Sequence, residues 1–402
     1  MHRNTSRAVL PILALGTLVA GCSRDRDPAA RPGDVALASS GPLNDEGKTI
    51  FRFDTFGDET FWTDSLRMHE VIRTSVSPKT ALSVGLKVDA EVLPASVKTG
   101  IQNGTIPLDS PSTTVALLKL GAVVGVVGQV DASGALTRVG ITCALCHSTV
   151  DNSFVGGIGS RLDGWPNRDL NVGAIIALSP VLTADQKKVY NSWGAGKYDP
   201  RFNIDGKNMP VVIPPAFGLR NVKKEIYTGD DTISYWNAYV AITQMHGHGH
   251  FVDPRIGVDK NNPPDKVSMK LAALRAYQFS IDKPKPLAAN VDEGAAKRGQ
   301  AVFQARCARC HVGEVFTDVN EGKLHTPAEV GQSAAYAQRS ATKMYRTTPL
   351  RGLWNPPQLK GPYFHDGNAA TLEDAVTHYV RLFDLKLAPQ QQADLVAYLK
   401  TL

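Results

Sequence analysis

Two five-residue runs stand out in the 402-residue chain: Cys143-Ala144-Leu145-Cys146-His147 and Cys307-Ala308-Arg309-Cys310-His311. In each, two thiols three positions apart are followed directly by an imidazole. On a helical turn, positions i, i+3 and i+4 share one face. Thiols so placed can form thioethers to the two vinyl groups of a haem, and the adjacent histidine then reaches the iron from the same side. A redox pair of cysteines has no need of the histidine. A structural zinc needs four ligands, more than one run supplies. A disulfide across each pair would leave the histidine unexplained. The expected cofactors are two covalently bound haems c, with His147 and His311 as axial ligands.

The fifth cysteine is Cys22. Arg3 and Arg7 precede an apolar run from Ala8 to Ala20, the pattern of a secretory signal over residues 1–21. Leu18-Val19-Ala20-Gly21-Cys22 resembles the bacterial lipobox. It implies a lipid-anchored protein on the periplasmic side of the cell envelope, held at Cys22, each buried methylene adding about 0.8 kcal/mol. The five cysteines thus divide into one anchor and two haem pairs. Residues 22–46 mix Pro, Gly, Ser and alternating charge and read as a flexible tether.

Composition narrows the class further. With 43% hydrophobic and 20% charged residues, the chain can bury a core and is neither disordered nor a multispan membrane protein. The net charge of +6 is spread along the chain, without the basic stripe a nucleic-acid partner would require.

The elements that must position the two motifs divide near Lys283-Pro284-Lys285-Pro286. The fold class is mainly α, with two cytochrome c-like haem domains, 47–285 and 286–402. The first is enlarged by a β-hairpin and long loops. In it, Phe61 to Arg73 reads as an amphipathic helix, and Lys266 to Ser280 as a further helical stretch. Val123 to Val130 and Ala135 to Thr142 read as strands joined by Asp131-Ala132-Ser133-Gly134 and leading into the first motif. In the second domain, Asp292 caps a helix over Ala295 to Phe303. Leu395, Tyr398, Leu399 and Leu402 form the apolar stripe of a last helix opened by Pro389. Gly299, Phe303 and Tyr398 read as packing where these helices cross. No internal repeat is read beyond the two motifs.

Residues 292–402 resemble the bacterial di-haem cytochrome c peroxidases and the related MauG-type enzymes. The resemblance lies in Thr348-Pro349-Leu350-Arg351, Pro362-Tyr363-Phe364-His365-Asp366-Gly367, Thr371-Leu372-Glu373-Asp374-Ala375-Val376 and Asp394-Leu395-Val396-Ala397-Tyr398-Leu399. It implies a sixth iron ligand for the second haem at Tyr379, but His378 lies directly before it and histidine is the stronger ligand. The related rubber oxygenases use a second histidine there. The expected order is His378, then Tyr379, then Met344. His365 is expected to hold a loop or propionate beside that haem.

For the first haem the resemblance aligns Tyr227-Thr228-Gly229 with a gate and Gln244-Met245 with a Glu-Met pair that carries the catalytic carboxylate. Gln244 and Tyr227 are therefore the catalytic candidates. An amide cannot shuttle a proton at neutral pH, though it can position a ligand. Met245 or His246, from the run Gln244-Met245-His246-Gly247-His248-Gly249-His250, is the candidate sixth ligand. Trp165 and Trp236 are candidate relays between haems, with packing the commoner role of such rings. The resemblance also allows a calcium ion between the domains. The implied activity is electron transfer between haems with peroxide reduction at the first. The alternatives are a purely electron-transferring cytochrome and an oxygen-dependent oxygenase of the rubber-oxygenase type. The implied partner is a small redox protein, a cytochrome or a cupredoxin.

Overall fold

Gly47 and Gly299 mark two helix crossings built alike. In a computed structural model that describes residues 41–286, 290–354 and 361–402, helix Pro42–Phe53 crosses helix Leu271–Ser280, and helix Glu293–Arg306 crosses helix Pro389–Leu399. A Cβ on Gly47 would lie 1.9 Å from the carbonyl oxygen of Ala273, and one on Gly299 would lie 1.8 Å from that of Asp394. Only glycine permits so close an approach. Four residues on, Phe51 meets Tyr277 at 5.5 Å and Phe303 meets Tyr398 at 5.2 Å between ring centroids. Both phenylalanines are fully buried, and burying one such ring contributes roughly 1.5–3 kcal/mol. The crossing expected at Gly299 is thus present, and the chain repeats it at Gly47. Gly47-Lys48-Thr49-Ile50-Phe51 and Gly299-Gln300-Ala301-Val302-Phe303 are a short internal repeat, contrary to the expectation that none exists beyond the motifs.

The copies diverge after the phenylalanine. Cys307 comes directly after the helix, its amide donating to the Phe303 carbonyl. After Phe51 the chain makes a long excursion before Cys143. It includes helices Met68–Ser75 and Pro111–Lys119 and the antiparallel hairpin Val126–Val130 with Leu136–Ile141. Asp131 stabilises the hairpin turn by accepting from the Ser133 and Ala135 amides, an Asx-type turn. The expected hairpin is found, with strands slightly shorter than expected. Gly125, with φ 77°, then lets the first motif dock: a Cβ there would fall 2.1 Å from the Leu145 amide nitrogen.

Other expectations change. The first helix begins at Pro42, inside the stretch read as tether. The stretch read as a signal sequence, and Cys22, lie outside the described residues. Phe61 to Arg73 is not one helix. It is a π-helical turn, Thr60–Ser65, then Arg67 at φ 55°, then helix Met68–Ser75. Thr63 exchanges hydrogen bonds with the Val139 backbone, and such side-chain bonds compete with regular helix. The helix expected from Lys266 starts at Leu271, after a 3-10 turn over Ser268–Lys270. Asp265 accepts from the Val267 and Ser268 amides and holds the chain in that turn.

The architecture is mainly helical with small two-stranded sheets. No helix among the described residues is long and apolar enough to cross a membrane. One buried clasp joins residues from both halves. The Arg339 guanidinium, almost fully buried, binds Asp199 and Asp205 and the carbonyls of Lys207 and Met209.

Candidate haem site

Each Cys-x-x-Cys-His run sits on a turn that places its side chains toward one large cavity of about 820 Å³, within the range of about 300–1,000 Å³ usual for cofactor pockets. Cys143, Cys146 and His147 line it, as do Cys307, Cys310 and His311. In both runs the histidine amide donates to the carbonyl of the first cysteine, 3.2 Å at His147 and 3.1 Å at His311, closing the turn.

The imidazoles are oriented alike. Nδ1 of His147 donates to the Pro214 carbonyl at 3.1 Å, and Nδ1 of His311 to the Phe316 carbonyl at 3.0 Å. Each bond fixes the tautomer and leaves the Nε2 lone pair free for a metal, the usual outer support of a ligating histidine. Burial lowers both basicities, His147 to about 4, so both rings stay neutral. Burial pushes the Cys143 and Cys146 thiols up to about 12. A reactive redox pair would need the opposite shift.

The cavity also presents unsatisfied cationic donors. Nε and Nη1 of Arg168 and Nε of Arg346 are buried without partners, and both side chains line the cavity. Buried donors of this kind are expected to be paired, and a haem brings two propionate carboxylates that guanidinium groups can bind through charge-assisted bonds. The cavity, the oriented histidines and these arginines all fit haem. Arg346 and Arg351 also share Glu225 at 3.1 and 3.5 Å.

Near the second motif, the structure separates His378 from Tyr379. Nε2 of His378 donates to the Val330 carbonyl at 3.1 Å and its ring packs against Gly331; it does not line the cavity. Tyr379 lines the cavity and lies close enough to Cys307 and Cys310 to feel their charge. Burial pushes its hydroxyl up to about 12. Met344 is also absent from the lining. His365 does line it, with Nδ1 3.1 Å from Gln332 Oε1 and its ring against Tyr336 at 4.6 Å.

Around the first motif, Tyr227, Gln244, Met245, His246 and Trp236 line the cavity and Trp165 does not. Trp165 packs on Phe217 at 6.2 Å. The Tyr227 hydroxyl donates to the Val212 carbonyl at 3.0 Å. Gln244 is held at every polar atom. Its Oε1 accepts from Tyr198 at 2.8 Å, and its Nε2 donates to Asn203 at 3.1 Å and Thr243 at 2.8 Å. His248 and His250 turn away, bonding to the Pro263 carbonyl and Asp259, each at 3.0 Å. Tyr198, Arg168 and Phe61 also line the cavity, and no motif in the sequence marks them. A buried arginine reads like any other until the fold closes over it.

Among the described residues, the group of three potential ligands is Cys310, Asp318 and His325. Calcium takes oxygen ligands, and in this set only Asp318 supplies oxygen, beside the Cys310 sulfur and a His325 nitrogen. Asp199 and Asp205 are both engaged by Arg339.

Residues 296–402 match the cytochrome c family. The chain is 33% identical over 158 residues to the methylamine utilization protein MauG of Methylorubrum extorquens, covering 34% of this chain and 43% of that protein. It is 30% identical over 179 residues to hydrazine synthase subunit gamma of Kuenenia stuttgartiensis, covering 36% of this chain and 50% of that protein. The chain therefore spans about half or less of the length of these curated relatives. A solved chain of hydrazine synthase from Kuenenia stuttgartiensis, pressurized with 20 bar xenon, is 22% identical with a TM-score of 0.32, covering 48% of this chain and 72% of that chain.

The C-terminal region is a cytochrome c domain, a class of protein that holds haem c covalently through a Cys-x-x-Cys-His motif. Over about a third of its length the chain is similar to MauG and to the hydrazine synthase gamma subunit.

Proposed function

We propose that this protein is a di-haem c-type oxidoreductase of the cell envelope, with one cytochrome c-like domain over 47–285 and another over 286–402. Electrons from a small cytochrome or cupredoxin enter at the second haem and serve the reduction of peroxide at the first. The observation that carries this reading is the single cavity lined by both Cys-x-x-Cys-His motifs, with His147 and His311 each tied through Nδ1 to a backbone carbonyl. The repeated glycine crossing at Gly47 and Gly299 supports one haem domain in each half.

When bound, the haems supply one-electron redox chemistry. Two electrons and two protons convert one peroxide into two waters by breaking its O–O bond. The protein's part is to hold the cofactors and keep the site dry. The cysteines fix each group at its edge, and the histidines hold a neutral ring in one tautomer. Arg168 and Arg346 offer buried positive charge to carboxylates. Tyr379 presents a neutral phenol beside the second motif.

The bonds that occupy Gln244 favour a second reading, in which the chain only passes electrons. Without a carboxylate at that position, proton transfer to peroxide must come from elsewhere or not occur.

The test is the full chain expressed with haem-loading machinery. A pyridine haemochrome assay should count two haems, falling to one in Cys143→Ala/Cys146→Ala and in Cys307→Ala/Cys310→Ala. The resting spectrum should contain a high-spin component that shifts with cyanide, and a reduced cytochrome donor should be oxidised by peroxide. Two low-spin haems that ignore cyanide would establish the electron-transfer reading instead.

A further inference from the structure

His246 is the member of the alternating His-Gly run that lines the cavity of the first motif. It comes directly after a π-helical turn, Val240–Gln244, and Met245, and it adopts φ 66°. A non-glycine residue in this region carries strain, which persists where the surroundings over-determine it. They do so here. The Gly247 amide donates to the Ala241 carbonyl and the His248 amide to the Phe56 carbonyl, each at 2.8 Å. The imidazole lies flat on Phe61 at 3.6 Å, with 15° between the planes. Phe61 in turn sits on the other π-helical turn, Thr60–Ser65. Single π-helical turns gather at functional sites. The ring nitrogens take no hydrogen bond from the described residues, and burial keeps the ring neutral.

We propose that His246 is the residue that hydrogen-bonds a small ligand bound at the first haem, taking the positioning role that Gln244 has no free donor to perform. This rests on the two-haem reading. The ligand class is small and hydrogen-bond accepting: peroxide, cyanide, or a diatomic with a lone pair turned outward. A neutral imidazole offers one N–H donor, and Phe61 fixes its plane, so the donor points one way. Met245 lines the same cavity but is apolar, and the Gln244 amide is fully bonded, which leaves His246 as the polar group of this run with a free donor there.

The experiment is a cyanide titration of the full chain with both haems, followed at the first haem, together with the C–O stretch of the carbon monoxide adduct. His246→Asn suits the backbone, because asparagine tolerates this region, while shortening the donor. His246→Gln restores reach. Cyanide affinity should fall about 10- to 100-fold in His246→Asn, the range for a hydrogen bond to a charged group, and recover in part in His246→Gln. The C–O stretch should rise, and the resting spin state should not change. Phe61→Leu should weaken cyanide binding by less than His246→Asn does. Unchanged affinity and stretch with two haems present would overturn this inference alone. A low-spin first haem that turns high-spin in His246→Asn would also overturn it, making His246 an iron ligand. A count of one haem, lost with the second motif, would overturn both this inference and the functional reading.

Discussion

Gly47 lies against the backbone of Ala273 so closely that a Cβ would meet its carbonyl oxygen at 1.9 Å. The same relation holds between Gly299 and Asp394. An added methyl cannot be absorbed by a flexible side chain at either place, because the obstacle is backbone. Gly47→Ala and Gly299→Ala should each push a helix pair apart and cost roughly 1–3 kcal/mol or more. Thermal unfolding of the holoprotein checks this. If the crossings serve separate haem domains, each variant should loosen its own haem's spectrum first. A melting temperature unchanged by either substitution would show that the helices do not rely on the crossing.

Tyr379 and His378 are adjacent, yet one lines the cavity and the other bonds the Val330 carbonyl. Tyr379→Phe should therefore alter the second haem's spectrum or potential, and His378→Ala should leave both nearly as they were. Electron paramagnetic resonance of the two variants decides the matter. Loss of the second haem's signal in His378→Ala alone would reverse the assignment.

Arg168 carries two buried nitrogens without partners and lies close enough to lower the basicity of His147, a smaller contribution than burial. Removing its charge takes away a group that favours the reduced, less positive haem. Arg168→Met should thus lower the midpoint potential of the first haem in a spectroelectrochemical titration, with little effect on the second. Equal shifts at both haems, or none, would place the guanidinium elsewhere in the electrostatics of the site.

Asp58 is fully buried, and burial pushes its carboxyl up to about 9, with the Ile141 amide pulling the other way. Its folded-state value lies above the unfolded one. Its contribution to stability is therefore fully present below about pH 4 and is lost as the pH rises toward 9. Asp58→Asn removes that ionisation. The variant's melting temperature should gain on the parent's between about pH 4 and pH 8. Parallel curves would show that the carboxyl is not held protonated.

Much of the site was legible because its chemistry is local. Two thiols and an imidazole on one turn can be read from five letters, and both motifs line the cavity. The Asp292 cap, the Gly299 crossing and the last helix could be read because their signals lie within a few residues of one another. The first crossing was equally local, since Gly47 and Phe51 stand four apart as Gly299 and Phe303 do. It was hidden by the excursion between Phe51 and Cys143, which separates the helix from its motif. The break at Arg67 was not legible either. It depends on Thr63 finding the Val139 backbone, 76 positions away in the chain.

The sequence by itself pointed to haem c and to the two Cys-x-x-Cys-His runs as its expected attachment points, because covalent attachment needs fixed spacing on one turn. The tertiary structure decided which of several candidates lines the cavity. Neighbours on a helix point about 100° apart, so His378 and Tyr379 are interchangeable in a sequence, and only the packing of their helix turns one of them inward. Likewise the fate of Gln244 and His246 depends on Tyr198, Asn203 and Phe61. These residues are distant along the chain and become neighbours only when the core closes around the cavity.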